Sequence, residues 1–182
     1  MRQLNTLITL GLIAVCSLAA ASPAPTYLSF SGAIGADTLT AAGGVDVLNT
    51  VRGVNPGGRN WVLAKLEASV SADAVISAKG RGLLLASGEA LATRGAVTHV
   101  AATLFCGAAD ATASRFSTAP FPLDTAGNFR IKGTLSADGI NTAVLPATCT
   151  NPLLLIRSAN PTTGVAGAWF AAGILNESDN DD

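Results

Sequence analysis

Residues 61–84 read WVLAKLEASVSADAVISAKGRGLL, and this stretch decides the fold class. Apolar and polar side chains alternate along residues 61–70 and again from Val75. A period of two is typical of β-strands that have one buried face. The short segment 72–74 separates the two runs. The pattern therefore predicts a β-hairpin with a three-residue loop.

One register of this hairpin keeps its two faces chemically distinct. Leu66 then faces Gly80 on the buried side, and Glu67 faces Lys79 on the solvent side as an opposite-charge pair. A shift by one residue would mix the faces, which is costly where one face is buried. The same alternation places Trp61 on the solvent face.

Similar short runs recur along the rest of the chain. They predict further strands over residues 27–34, 97–106, 116–123, 128–135, 153–157 and 168–175, and a turn over residues 124–127. About seven or eight short strands separated by turns are typical of an antiparallel β-sandwich, and a small barrel is the alternative. Residues 88–94 carry capping and stop signals, so a two-turn helix competes with a loop there.

The N-terminus has the features of a secretory signal peptide. Arg2 precedes an apolar run, and small residues follow at positions 19–21. The run is shorter than the ~20 apolar residues that a membrane span needs. We expect cleavage after Ala21 and a secreted, extracellular protein with no membrane span. Lipid attachment at Cys16 is the alternative, although Val15 stands where a small residue is usual.

The mature chain divides into a body and a short tail. Residues 22–175 are long enough for one β domain. Residues 176–182 carry four acids and no apolar side chain, so we expect a disordered acidic tail. Outside the tail the charges nearly balance, and the linear sequence shows no basic face. We therefore expect no nucleic-acid partner.

Two cysteines, Cys106 and Cys149, remain after the leader. In an oxidising compartment such a pair normally forms a disulfide. Cys106 falls on the inward side of its predicted strand, which favours a structural role. These cysteines and the single histidine, His99, have no short spacing among them. We therefore predict a Cys106–Cys149 disulfide and no metal site.

Catalytic signals are sparse. His99 is interpreted as a surface or inter-strand residue, because no Gly-x-Ser-x-Gly motif accompanies it. Six carboxylates are candidates for a glycoside-cleaving pair: Glu67, Asp73, Glu89, Asp110, Asp124 and Asp138. Glu67 has a partner in Lys79, and Asp73, Asp124 and Asp138 lie in turn-like contexts, where Asp ordinarily bonds the backbone. We expect no catalytic residue and no cofactor.

Two tryptophans are candidates for stacking on a ligand. Trp61 shares its predicted face with Lys65 and Glu67, and Trp169 adjoins Phe170. Exposed aromatic rings of this kind commonly bind sugars. The competing interpretation is that both rings fill the core or a sheet edge.

Several short landmarks follow one another in a recognisable order: Trp61-Val62-Leu63, Gly82-Leu83-Leu84-Leu85, Phe105-Cys106, Gly127-Asn128-Phe129, Leu145-Pro146-Ala147-Thr148-Cys149 and Trp169-Phe170-Ala171. This order resembles a family of small exported microbial proteins with no assigned activity. The resemblance implies a two-cysteine β domain and carries over no catalytic residue.

The sequence therefore predicts a non-enzymatic binding or cell-surface component, whose partner is a glycan or another surface component. Two alternatives stay open. One is an extracellular hydrolase that cleaves sugar polymers with paired carboxylates. The other is a small-ligand carrier, which needs an apolar cavity of roughly a few hundred Å³.

Overall fold

The computed structural model describes residue 22, residues 24–37 and residues 49–176. The predicted signal peptide, Cys16 and the acids of the tail lie outside the described residues. The strands are β1 Thr26–Gly35, β2 Trp61–Ser71, β3 Val75–Leu85, β4 His99–Cys106, β5 Ser114–Ser117, β6 Phe121–Pro122, β7 Phe129–Thr134, β8 Leu153–Ala159 and β9 Ala166–Leu175. Within these described ranges, no helix is long and apolar enough to cross a membrane.

The nine strands form one curled antiparallel sheet. Its order is β5-β4-β8-β9-β1-β2-β3-β7, and β6 pairs with β4. The all-β antiparallel prediction is confirmed. The division into two facing sheets is not confirmed, because hydrogen bonds connect every strand to the same sheet.

The two ends of the sheet meet along a line that we call the seam, where β5 and β6 approach β7. Ser117 and Ser136 exchange two backbone hydrogen bonds there, of 2.8 and 2.9 Å. Leu123, just after β6, forms a second bridge with Phe129. The turn over residues 124–127 connects the strands at this bridge, since Gly127 N–H donates to the Asp124 carbonyl at 3.1 Å.

The β2–β3 hairpin has the predicted register. Leu66 pairs with Gly80 and Glu67 with Lys79. The loop over residues 72–74 is closed by a 3.0 Å hydrogen bond from Ala74 N–H to the Ser71 carbonyl. The hairpin follows the sequence pattern closely because each face has its own chemistry.

The burial pattern reverses near the start of β2. Leu66 and Val70 are buried as predicted, but Trp61 and Leu63 are buried too, and Val62 is exposed. Gly82, across the ladder from Ala64, has a φ of 67°, which is outside the range of a regular strand. We attribute the reversal to this glycine. The prediction that Trp61 lies on the solvent face is therefore wrong.

The Cys106–Cys149 disulfide is present, with the two Cα atoms 4.9 Å apart. It connects the end of β4 to the segment that precedes β8, across 43 positions. Both half-cystines are buried in the core. A closed loop of this length stabilises a fold by about 4 kcal/mol in the chain-entropy model.

Residues 88–94 form turns rather than the helix that the capping signals allow. Gly88 and Ala92 have left-handed φ values of 80° and 59°, which no α-helix accepts. The N–H of Leu91 donates to the Gly88 carbonyl at 3.1 Å, three residues back, and the pattern does not continue as a helix.

Candidate binding surfaces

The outward side chains of β2, β3 and β7 form a surface that we call the basic face. Its charged members are Lys65, Glu67, Lys79, Arg81, Arg130 and Lys132. Five cations thus share one side of the sheet with one carboxylate. The expectation that the chain has no basic face is wrong.

The strand pairing brings like charges directly opposite each other. Lys65 pairs with Arg81 across β2 and β3, and Lys79 pairs with Arg130 across β3 and β7. Like charges in such positions destabilise a sheet. The fold therefore carries this cationic cluster at a cost in stability.

Glu67 is the only carboxylate among these side chains. Its Oε1 lies 2.8 Å from Lys65 Nζ. The hydrogen bond and charge of Lys65 hold the pKa of Glu67 below its usual range, and Lys79 and Arg81 lower it further. One carboxylate balances only one of the five cations, so the face keeps a net positive charge.

Hydroxyl and amide groups extend the basic face toward β1. A shallow depression of about 430 Å³ is bounded by Ser31, Ser69, Ser77, Lys79, Arg130 and Asn176, among others. Asn176 is held in place by Ser29 and Ser31, at 3.1 and 2.6 Å. The face therefore offers uncharged hydrogen-bonding groups beside its cations.

The sequence contained a signal for this face. Pairs of charged residues spaced two apart occur in three separate runs: Lys65 and Glu67, Lys79 and Arg81, and Arg130 and Lys132. A spacing of two places both members on one side of a strand. The runs become one surface only through the pairing of β3 with β7, which no local pattern reveals.

A second recess lies at the seam, and we call it the seam cleft. It measures about 730 Å³ and is bounded by β5 and β6, by the segment after β7, and by the β8–β9 loop. Arg115 and Ser117 contribute polar groups to it. Phe121, Ile140 and Val165 contribute apolar surface.

Arg157 lies in β8 near the seam cleft and is only 8 % exposed. Its Nε and Nη2 donate to the carbonyls of Gly167 and Ala166, at 2.8 and 2.9 Å. Its Nη1 donates to Thr103 Oγ1 at 3.3 Å. Burial lowers the pKa of Arg157, and the charge of Arg115 lowers it further.

The two tryptophans lie inside the protein. Trp61 is 5 % exposed, and its ring centroid lies 4.1 Å from that of Phe170. Trp169 is equally buried, and its Nε1 donates to the Asn49 carbonyl at 3.2 Å. Neither ring offers an open face for ligand stacking, and both fill the core.

Four of the six candidate carboxylates for hydrolysis accept hydrogen bonds from groups in their own turns. Asp138 accepts hydrogen bonds from the N–H groups of Ile140 and Asn141, at 2.9 and 2.8 Å, which hold its pKa far below the usual range. Similar bonds lower the pKa values of three other aspartates: Asp73, Asp110 and Asp124. A general acid in a glycosidase needs a raised pKa, so these groups do not suit that role.

His99 is half-buried at the start of β4, with Nδ1 3.0 Å from Thr98 Oγ1. In the part of the chain that the structure describes, no three His, Cys, Asp or Glu side chains cluster as a metal site would require.

Comparisons with known proteins return nothing. No family model matches the chain, and no curated protein or solved structure is similar to it. The resemblance to small exported microbial proteins stays a prediction.

Proposed function

We propose that this protein is an exported, non-enzymatic binding component that attaches to an acidic polysaccharide through the basic face. The observation that carries the proposal is the set of like charges held opposite each other on adjacent strands. A bound polyanion would relieve that repulsion, because each anionic group would lie between cations.

The chemistry of the face favours a polysaccharide over a single-stranded nucleic acid. Proteins that bind single strands usually add aromatic side chains on which bases stack. Among the exposed residues of the described strands β2, β3 and β7 there is no aromatic side chain, and the tryptophans are buried. Serine hydroxyls and the Asn176 amide suit a polymer that carries both carboxylates and hydroxyls.

The proposal also includes secretion of the protein and closure of its sheet into a small barrel. The disulfide is compatible with an extracellular location, and the N-terminal pattern supports secretion. The Ser117–Ser136 bridge supports a small barrel, in which the seam closes the sheet, rather than a two-sheet sandwich.

The test is binding of polygalacturonate to the disulfide-bonded chain 22–182, measured by calorimetry at several salt concentrations, with dextran as the neutral polymer. We expect binding to polygalacturonate that weakens as salt rises, and none to dextran. A cation at an anionic surface contributes about 1 kcal/mol. The double variant Lys79→Gln/Arg130→Gln should therefore bind about 10- to 30-fold more weakly.

A matched variant separates the basic face from net charge. Arg59→Gln removes one positive charge from an exposed position outside the basic face and should keep nearly full affinity, whereas Arg130→Gln alone should weaken binding. Equal losses in these two single variants, or equal binding to dextran, would refute the proposed function.

A further inference from the structure

We infer that the seam cleft is a second binding site, which takes a small carboxylic acid with an apolar body. This inference is independent of the basic face. It rests on the charge, the apolar rim and the size of the cleft.

The seam leaves a gap between two sheet edges, which are held together by two bridges between described residues. Ser117 pairs with Ser136 at one end, and Leu123 pairs with Phe129 at the other. The loop before β9 adds a third wall through Thr163 and Val165. The resulting volume of about 730 Å³ is within the range of small-molecule sites.

Arg157 adds a positive charge close to the cleft, to which it is connected through Thr103 and Ser117. Among the described residues, the hydrogen-bond acceptors of Arg157 are two carbonyls and the Thr103 hydroxyl, all neutral. Thr103 Oγ1 in turn lies 2.9 Å from Ser117 Oγ, which borders the cleft. An anion bound beside Ser117 would be attracted by this positive charge.

Asp138 borders the cleft, but its carboxylate is engaged within its own loop. Its two oxygens accept hydrogen bonds from Ser136, Ile140 and Asn141 within its own loop. Arg115, on edge strand β5, presents a guanidinium to the same cleft. The planar guanidinium fork matches a carboxylate with two parallel hydrogen bonds.

The rim of the cleft is apolar and open to solvent. Ile140 is 87 % exposed and Val165 is 64 % exposed, and Phe121 is half-buried beside them. Exposed apolar side chains gathered at one recess are typical of a ligand site. A ligand with one carboxylate and an aliphatic body would use the arginine and the rim together.

The test is a titration of the ¹⁵N-labelled, disulfide-bonded chain 22–182 with octanoate, followed by amide chemical shifts, and a parallel titration with octan-1-ol. We expect saturable shifts at Ser117, Ser136 and Val165. Octan-1-ol, which lacks the carboxylate, should bind at least about 10-fold more weakly, since a charge-assisted pair is lost. Arg115→Gln should weaken octanoate binding to a similar extent.

Lys132→Gln removes a cation from the basic face and should leave octanoate binding unchanged. Equal binding of octanoate and octan-1-ol, shifts confined to the basic face, or no saturation at about 10 mM octanoate would each overturn the inference. The variant Lys79→Gln/Arg130→Gln keeps the seam cleft intact, so loss of polygalacturonate binding with retained octanoate binding shows that the two sites are separate.

Discussion

Two parts of the sheet handle burial and charge in opposite ways. In the basic half, formed by β2, β3 and β7, buried and exposed side chains mostly alternate. In the buried half, formed by β4 and β8, nearly every side chain is buried, whichever way it points. Cations are exposed and mutually repulsive in the first half, whereas the second half holds a single buried arginine.

The difference predicts how the removal of a positive charge affects the free energy of unfolding in each half. The cations of the basic half are hydrated, so each is replaceable with little effect on folding. Arg157 is buried, and its guanidinium donates hydrogen bonds to the backbone carbonyls of Ala166 and Gly167. Removing Arg157 would break these hydrogen bonds. We therefore expect Arg157 to stabilise the fold and the basic face to serve binding.

The largest expected effect comes from neutralising one arginine in each half. Arg157→Leu should lower the free energy of unfolding by about 3 kcal/mol, because the three hydrogen bonds of a buried guanidinium are lost. Arg81→Gln should change it by less than about 0.5 kcal/mol, or raise it slightly, since it relieves repulsion with Lys65. Urea denaturation of both variants measures the two values.

Equal losses in Arg157→Leu and Arg81→Gln would break the contrast between the halves. Arg157→Lys is a useful companion variant, because it keeps the charge but loses the fork that reaches both carbonyls. Its stability should lie between those of the wild type and Arg157→Leu.

The sequence was most informative about strand register where one face of a strand is exposed to solvent. The β2–β3 register followed from Leu66, Glu67 and the three-residue loop, because any slip mixes the two faces. The exposure of Trp61 could not be read in this way, since a left-handed backbone at Gly82 is a local geometry that alternation does not encode.

Long-range pairing accounts for the features of the two sites that the sequence did not reveal. The basic face requires Arg130 to pair with Lys79, and these residues are far apart in the chain. Arg157 follows the apolar run Leu153–Ile156, and that position was the available signal for a buried cation. In β4 and β8 the two faces could not be distinguished because both are buried.

A smaller effect is expected from the acidic C-terminal residues. Asn176 lies in the same depression as Lys79 and Arg130, and Glu177, Asp179, Asp181 and Asp182 follow it in the sequence. We expect these tethered negative charges to compete with an anionic polymer for the cations. A chain that ends at Asn176 should therefore bind polygalacturonate about 3-fold more tightly at low salt, and the difference should shrink as salt rises.

Replacing the same four acids by Gln and Asn controls for the loss of chain length and should reproduce the gain. Unchanged affinity in both variants at low salt would show that the tail charges do not reach the basic face. Calorimetry under the conditions of the polygalacturonate test provides the measurement.

The smallest expected effect is a loss of local stability at low pH, which differs between the two halves. The pKa of Glu67 is lowered in the folded protein, so its contribution to stability is present above its unfolded pKa of ~4.3 and is lost as pH falls through the lower folded value. Protonation also removes the only carboxylate of the basic face and leaves its five cations to repel one another. Below pH ~4 we expect amide protection factors to fall first in β2 and β3, while those of β4 and β8 persist. Asp73, in the loop between β2 and β3, also has a lowered pKa and should act in the same direction.

In Glu67→Gln, protection in the basic half should already be reduced at pH 6 and should change less on acidification. Earlier loss of protection in β4 and β8 would mean that repulsion on the basic face does not limit the stability of the sheet.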